Sequence, residues 1–533
     1  MPGSHRHKIT PIANLLGRHG SHHMLLGMLI VLPTGGLAVA DPTASIALDV
    51  SQAVAVPDPD AAWFVPGMIV LADGVYEEED ESGAAGRGLG GSTGVGGTLG
   101  GRFQAFFIGQ PPAERRRATL GVTGPEGAAA GADDHASTIG GGFGWIDFLG
   151  VGSERAAGPR MRRLEARLLR QQRRPHFSVP PSLLPAGDDA PDDPGSMAPE
   201  RARIVLIGEC ALDQPRTLEA LRKILATYAA APPGRTPMAF VLAGNFVSHA
   251  VMARGGGGGG SIEYKEYFDA LALALADFPT LLASATFYFL PGDNDGWVSA
   301  FGAGAAVPLP RAEVPAVFTS RVRRAFATAN AEAGPDSGTE GEAVWTTNPS
   351  RVSVFGPSHE IVLFRDDIAA RLRRNAVRLK MSEEKHETLA DDTTMSGAQP
   401  EPATQASDVM DLDDHPSSPT DPSAAATKEG ATGVSNDVRT ARKLVKTLLD
   451  QGYLAPFRQQ VRPVHWDHAA ALHLYPLPTA VALVDPTAPP FCITYEGCHV
   501  MNPGAVLVPG RRGLARWVEY DLGSVGRLRE CLF

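Results

Sequence analysis

Two hydrophobic patterns divide the chain. Over roughly the first hundred residues, short runs alternate between apolar and polar positions, which is typical of strands with one buried face. From residue 203 onward, unbroken apolar runs of four or five residues alternate with stretches whose apolar residues recur every three or four positions. This second pattern predicts strands buried on both faces and connected by helices. The sequence therefore predicts an all-β part followed by a larger α/β part.

The apolar segment 24–40 has two interpretations. It follows basic residues and ends in the small-residue triplet Ala38-Val39-Ala40, as a signal peptide does. It also contains the turn sequence Pro-Thr-Gly-Gly at 33–36, which would join a strand at 25–32 to a return strand at 37–40. Because the turn interrupts the apolar run and 46–50 alternates as a third strand, the hairpin is favoured.

Further strands are predicted at 63–65, 68–71 and 103–108, which are rich in aromatic and branched residues. Five short strands in this space predict a small closed barrel of the oligonucleotide/oligosaccharide-binding (OB) type. We assign 1–23 to a lead-in segment and 24–150 to the OB-fold domain with Gly-rich loop insertions. The aromatic residues of the last strand occupy positions that alternate as core positions do.

The larger part is predicted to be one α/β domain over 201–533. Its buried strands are at 204–207, 239–243, 286–290 and 480–484, with helices at 212–228 and 264–278 and an antiparallel pair at 352–355 and 360–364. Residues 380–437 contain almost no apolar side chains, so they are predicted to be a disordered insertion. A basic helix at 161–174 and a Pro-rich linker make up 151–200.

Charge and cysteine content exclude several classes of protein. The net charge of −11 argues against a protein that coats nucleic acid by neutralising phosphates. The four cysteines lack paired Cys-x-x-Cys spacing, so they predict neither a disulfide framework nor a structural zinc site. Beyond 24–40, no stretch approaches the length needed to span a bilayer, so no membrane partner is expected.

Three predicted strands each end in a short polar cluster, at 208–210, 244–245 and 291–295. The carboxyl ends of strands are where open α/β sheets bind ligands. The order of these clusters resembles that of the calcineurin-like metallophosphoesterases, a two-sheet α/β fold. In that family, carboxylates, histidines and an asparagine hold two metal ions that act on phosphorus.

The residue types depart from those that this resemblance requires. Glu-Cys-Ala stands where Asp-x-His is needed, Gly-Asn where Gly-Asp is needed, Asp-Asn-Asp where Asn-His-Asp is needed, and Asn-Pro-Gly replaces the late Gly-His-x-His. Two divalent metals need more oxygen and nitrogen ligands than remain. We therefore predict an inactivated phosphoesterase domain with no catalytic residue, metal or cofactor. The degenerate metal-site positions are Glu209, Ala211, Asn245, Asp293, Asn294, Asp295 and Asn502.

An ordered series of short motifs carries a more specific resemblance. It includes Leu-Ala-Asp-Gly-Val-Tyr-Glu at 71–77, Leu-Ala-Gly-Asn-Phe at 242–246, Thr-Thr-Asn-Pro-Ser-Arg at 346–351, Phe-Arg-Asp-Asp at 364–367 and Asn-Pro-Gly at 502–504. Each motif alone is weak. Together they resemble the B-subunit family of eukaryotic replicative DNA polymerases, and within it the polymerase epsilon members.

The resemblance implies a non-catalytic subunit that grips the zinc-bearing C-terminal region of the polymerase's catalytic subunit. It also implies contact with the other polymerase subunits and with DNA through the complex, a nuclear location, and a role in replication initiation and leading-strand synthesis. Family members usually carry an N-terminal helical domain that links the polymerase to the replicative helicase. This chain begins almost at the barrel, so either that domain is lost or the gene model is truncated, and the helicase link stays open.

Two other functions compete with this interpretation. The chain could be an active metal-dependent phosphoesterase or nuclease with unusual ligands. It could also be a single-strand-binding OB protein that acts alone, through exposed aromatics in a positive groove. The acidic segment 77–81 and the core-like spacing of the barrel aromatics argue against the second alternative.

Overall fold

The computed structural model describes residues 8–55, 62–78, 98–119, 203–231, 236–251, 260–296, 307–334, 340–354, 359–379, 436–522 and 525–533. The predicted basic helix at 161–174 and the rest of the predicted linker at 151–200 lie outside these ranges. So does most of the predicted insertion at 380–437. Its predicted end is two residues too late, because a helix already begins at Asn436.

The N-terminal strands form a closed barrel. The sheet order is β3-β2-β1-β5-β6, and β6 pairs back onto β3 in parallel to close the ring of five. A 3₁₀ helix, Ile12–Leu15, precedes the barrel and contributes two fully buried side chains to its core. The OB-type barrel predicted from the sequence is therefore present. Its strands are β1 (His22–Val31), β2 (Leu37–Ala40), β3 (Ser45–Asp49), the short β4 (Val54–Ala55), β5 (Ile69–Glu77) and β6 (Thr98–Gly109), and a short helix α1 (Arg116–Thr119) follows.

The segment 24–40 forms the predicted hairpin within this barrel. β1 and β2 pair antiparallel from Met28 opposite Ala40 to Val31 opposite Leu37. β1 already starts at His22, two residues before the predicted domain boundary. None of the helices in the described ranges is both long and apolar enough to cross a membrane.

Two predictions for the barrel aromatics were wrong. Residues 63–65 form a buried loop instead of a strand: they are apolar because they fill the space between the barrel and the second part of the chain. On β6, Phe103 is buried, but Phe106 and Phe107 are 37% and 48% exposed. The β5–β6 ladder shifts register at this point, leaving Phe106 without a partner on β5, and such a bulge redirects side chains away from strict alternation.

The second part of the chain is built around two sheets packed face to face. A six-stranded sheet has the order β10-β9-β8-β7-β16-β17, and a five-stranded sheet has the order β11-β12-β13-β15-β14. Side chains from both sheets, including Leu206, Val241, Leu363, Ala482 and Val518, form one buried cluster between them. The strands are β7 (Arg203–Glu209), β8 (Ala239–Ala243), β9 (Thr286–Leu290), β10 (Glu342–Trp345), β11 (Ser350–Val354), β12 (His359–Arg365), β13 (Ala480–Val484), β14 (Phe491–Tyr495), β15 (Cys498–Asn502), β16 (Leu514–Asp521) and β17 (Arg527–Leu532).

Helices cover the outer faces of both sheets. Four of them pack on the six-stranded sheet, while two others share a core with the five-stranded sheet and the barrel. The predicted helix at 212–228 begins three residues late, at Pro215, a residue favoured in the first turn. The helices are α2 (Pro215–Ala229), α3 (Ser261–Ala276), α4 (Pro279–Leu282), α5 (Ala316–Ala333), α6 (Ile368–Asn375), α7 (Asn436–Gln451) and a 3₁₀ helix at Trp466–Leu472.

The hydrophobic pattern predicts 480–484 as the last buried strand of the chain, and this prediction was wrong. Four strands follow it within the described residues 485–522 and 525–533, from β14 to β17. The pattern of β17 is weak because this strand lies at a sheet edge and most of its side chains are exposed. An edge strand of this kind has no continuous apolar face for the sequence to reveal.

Helix α7 joins the barrel to the five-stranded sheet. The backbone N–H of Trp63 donates to Oγ1 of Thr447 at 3.0 Å. The side-chain amide of Gln451 accepts from the N–H of Ile69 at 2.9 Å and donates to its carbonyl at 2.8 Å. Leu448, on the same helix, is 2% exposed and lies in the core that the barrel and the sheet share.

We expect Leu448→Ala to lower the free energy of unfolding by about 2 to 5 kcal/mol, because it removes apolar contacts and leaves a cavity. Val438→Ala on the same helix is the control: Val438 is 41% exposed, and this change should cost less than about 0.5 kcal/mol. Urea titration followed by tryptophan fluorescence measures both. Equal losses for the two variants would contradict the assignment of α7 to the shared core.

Candidate functional site

The polar clusters predicted from the sequence meet at one edge of the six-stranded sheet. β7, β8 and β9 run parallel, so their carboxyl ends lie side by side. Glu209 ends β7, Asn245 follows β8, and the segment from Asp293 to Asp295 follows β9. Asn502 ends β15 in the other sheet and is buried. Its side chain bonds to Gly504 in the loop that follows β15.

Direct hydrogen bonds connect these residues. The Asn245 side chain donates to Oε1 of Glu209 at 2.9 Å and accepts from the N–H of Asn294 at 3.0 Å. A Cβ atom added to Gly292 would lie 2.2 Å from Oδ1 of Asn245, so only glycine permits this approach.

Asn502 acts through the backbone. Its Oδ1 accepts from the N–H of Gly504 at 2.9 Å, and the carbonyl of Gly504 accepts from the N–H of Glu209 at 3.1 Å. Ala211 brings no polar side chain to the site, and its carbonyl accepts from the N–H of Gln214. The side chain of Asn294 donates to the carbonyl of Val247 at 3.1 Å. Of the seven predicted positions, Ala211, Asn294 and Asn502 thus make no side-chain hydrogen bond to the carboxylates.

Arginine side chains bind the carboxylates of this site. Arg462 makes a two-pronged contact with Asp293, from Nη2 to Oδ1 at 2.7 Å and from Nη1 to Oδ2 at 3.0 Å. Arg371 lies 3.5 Å from Asp293, and Arg365 lies 3.1 Å from Oε1 of Glu209. Arg365 is 2% exposed and Arg462 is fully buried. Guanidinium groups therefore pair with two of the carboxylates, Glu209 and Asp293, that the sequence resemblance predicts as degenerate metal-site positions.

A further carboxylate, Asp366, completes the arrangement. It is fully buried, it accepts from Nε of Arg371 at 3.2 Å, and its Oδ1 forms an ion pair with Nη2 of Arg462 at 3.2 Å. Arg371 and Arg462 thus each bridge Asp293 and Asp366. We call the group Glu209, Asp293, Asp366, Arg365, Arg371 and Arg462 the arginine–carboxylate cluster.

Sequence reasoning missed four members of this cluster. Arg365 and Asp366 stand in the family motif at 364–367, directly after an apolar strand, so their place at a strand's carboxyl end was visible in the sequence. Arg371 on α6 and Arg462 in the loop after α7 gave no such signal, because one charged residue on a helix or in a loop is ordinarily solvated. Only the fold brings them to the site.

The cluster does not fit a pair of divalent metal ions. A metal needs carboxylate oxygens that are free to coordinate, whereas Glu209, Asp293 and Asp366 already accept hydrogen bonds from permanently charged guanidinium groups. Among the described residues, no group of three or more His, Cys, Asp or Glu side chains is placed to hold a metal. The arrangement is chemically suited to fixing the two sheets to each other.

Asp295 has a different environment from that of the cluster. It is 1% exposed and accepts from the N–H groups of Gly292 at 2.8 Å and Phe246 at 3.1 Å and from the hydroxyl of Tyr264 at 3.1 Å. Burial raises the pKa of its carboxyl to about 6, although these hydrogen bonds oppose the shift. The residue ties the end of β9 to the loop after β8.

We expect Arg462→Ala to lower the free energy of unfolding by about 3 to 5 kcal/mol, because it leaves two buried carboxylates short of a partner. The exposed Arg458→Ala, four residues away in the same loop, is the matched control and should change stability by less than about 0.5 kcal/mol. Chemical denaturation of the full chain measures both. Similar small effects would mean that the cluster is solvated.

The raised pKa of Asp295 predicts a pH dependence. Between pH 4 and pH 6 the folded state holds this proton while the unfolded state, at the ordinary value of 3.8, releases it. Stability therefore falls as the pH rises through this window, by about 3 kcal/mol from this group. Asp295→Asn cannot ionise and should escape that loss.

Urea unfolding of wild type and Asp295→Asn from pH 4 to pH 7 tests this. Relative to wild type, the variant should gain stability as the pH rises. Asn294→Ala, a non-titrating change in the same segment, should shift stability equally at every pH. Parallel curves for wild type and Asp295→Asn would contradict the raised pKa.

Comparison with known proteins gives the family. The model of the B-subunit family of DNA polymerases alpha and epsilon matches residues 204–493, more than half of the chain. The model of the polymerase epsilon subunit 2-like OB-fold domain matches residues 2–112.

Curated relatives match along almost the whole chain. The B-subunit of DNA polymerase epsilon from Saccharomyces cerevisiae is 29% identical over 527 residues, covering 98% of this chain and 61% of the relative. That of Schizosaccharomyces pombe is 28% identical, covering 94% and 61%, and the mouse DNA polymerase epsilon subunit 2 is 24% identical, covering 90% and 61%. The chain spans about three fifths of the length of these relatives. With its barrel and α/β regions both matched, the chain belongs to the B-subunit family of DNA polymerases alpha and epsilon.

Proposed function

We propose that this protein is a non-catalytic accessory subunit of the DNA polymerase epsilon complex. The observation that carries the proposal is the arginine–carboxylate cluster. In it, arginine side chains pair with the carboxylates at the carboxyl ends of the strands, where α/β sheets usually bind ligands. Arg462 alone makes contacts of 2.7 and 3.0 Å with Asp293. A buried site neutralised in this way holds its sheets together and offers no free ligand for a reaction.

We further propose that the two-sheet part is an inactivated calcineurin-like phosphoesterase domain. In support, the strands end in polar residues at one edge, as in that fold, and the ligand positions carry Glu209, Asn245 and Asn294 instead of the usual set. Asn245 is neutral and bonds to Glu209 and Asn294, which is a role of internal support.

The proposed partner is the zinc-bearing C-terminal region of the polymerase's catalytic subunit, within a nuclear complex that acts in replication initiation and leading-strand synthesis. Exposed apolar residues on the outer face of the barrel support the proposal of a protein partner. Met28 and Ile69 are opposite each other on β1 and β5, and Phe107 lies farther along the same side; they are 44%, 39% and 48% exposed. Exposed apolar residues grouped in this way are typical of protein interfaces.

A stand-alone single-strand-binding role has one observation in its favour, the exposure of Phe106 and Phe107. The charges around them oppose it. Asp73 is directly opposite Phe107 across the strands, and Arg102 is paired with Glu77 at 2.7 Å. Acidic neighbours repel phosphates, and base stacking requires a positive groove. We therefore favour a protein partner for this face.

Co-expression with the C-terminal region of a polymerase epsilon catalytic subunit, followed by affinity capture, tests the proposal. We expect wild type to be captured in stoichiometric amounts and Phe106→Ser/Phe107→Ser to be captured at least several-fold less. Leu273→Ser, at a 64% exposed apolar position on α3, is the matched control and should be captured like wild type. Absence of wild-type capture would overturn the proposed partner.

A separate assay tests the non-catalytic assignment. Purified chain with manganese and bis(p-nitrophenyl) phosphate should show no turnover above a protein-free blank. Turnover that disappears in Asp293→Ala would instead establish an active phosphoesterase. This outcome does not depend on the capture experiment.

A further inference from the structure

A second arginine group lies outside the site described above. It lines a cavity of about 390 Å³ between the first turn of α2 and the loop that joins β15 to β16. Arg216 comes from the helix, and Arg511 and Arg512 come from the loop. All three are exposed, in contrast to the buried arginines of the arginine–carboxylate cluster.

The three guanidinium groups keep their charge available. Within the described parts of the chain, none of them forms an ion pair with a carboxylate. No acidic side chain lines the cavity. The lining therefore has a net positive charge, although the chain as a whole carries −11.

The cavity has the chemistry that phosphate groups require. Arginine presents several N–H donors in a planar fork that matches phosphate oxygens. Arg216 stands in the first turn of α2, where the helix dipole adds positive potential. Its guanidinium also lies over the Phe533 ring, 5.7 Å from the ring centre, in a cation–π contact that helps to position the side chain.

We propose that this cavity binds the phosphodiester backbone of DNA. The arginines are exposed, and the remaining lining is small or apolar, such as Gly510 and Leu514, apart from Gln214, whose side-chain amide donates to Oγ of Ser248 at 3.4 Å. A single amide is not a set of polar side chains that would read a base. A site of this kind recognises a backbone phosphate on a passing strand better than a complete nucleotide. It lies off the barrel, so it differs from the base-stacking site that an OB fold usually supplies.

Fluorescence anisotropy with a short labelled oligonucleotide, single-stranded and duplex, tests the proposal on the full chain. We expect binding at low salt that weakens as salt rises. Arg511→Ala/Arg512→Ala should weaken binding at least about tenfold and reduce the slope of log affinity against log salt by about two, one for each lost phosphate contact. Arg216→Ala should reduce the slope by about one.

Arg323→Ala/Arg324→Ala on α5 is the matched control, because it removes the same two charges from an exposed surface elsewhere. It should leave affinity within about twofold of wild type. Equal losses of affinity in both double variants would show that binding depends only on the net charge of the chain, and this would overturn the proposed site. dATP and inorganic phosphate should compete less well, per phosphate, than unlabelled oligonucleotide does. If they compete equally well, the ligand of the cavity is free phosphate and the proposal of DNA is contradicted. The test does not depend on the polymerase assignment, since it needs no partner subunit.

Discussion

The fold of the second part depends on charge pairs that are removed from water. Asp366 and Arg462 are both fully buried, and burying an isolated ion costs several kcal/mol even after the protein relaxes. The arginine–carboxylate cluster meets this cost by matching three guanidinium groups to three carboxylates. Because Asp293 follows β9, Asp366 follows β12 and Arg462 follows α7, the same contacts hold segments of both sheets in one arrangement.

This arrangement explains how the carboxyl ends of the strands, where α/β sheets usually bind ligands, can serve a structural role instead. In an open α/β sheet, the converging strand ends create a polar depression that a ligand would normally fill. Here Arg365, Arg371 and Arg462 fill it from within the chain. Asn245 and Asn294 then satisfy neighbouring donors and acceptors without adding charge. The depression becomes a joint between the sheets.

The sequence predicted the barrel, the parallel strands and the meeting of Glu209, Asn245 and Asp293, because buried strands and their polar ends leave a local pattern. It did not predict the partners of those residues. Arg371 and Arg462 come from separate elements, and nothing local distinguishes a guanidinium that will be buried from one that stays in water. The prediction of a strand at 63–65 failed for a related reason. The apolar residues of this loop are buried by another element, not by strand pairing.

The contact between Trp63 and Thr447 joins residues 384 positions apart. During synthesis on the ribosome, the barrel strands emerge long before α7, so the apolar loop beside Trp63 must wait uncovered until most of the chain has been made. Contacts of such large sequence separation form late and leave apolar surface open to wrong associations. A nascent chain that stalls before residue 436 would therefore present a barrel with an open flank, which is the kind of surface that chaperones bind.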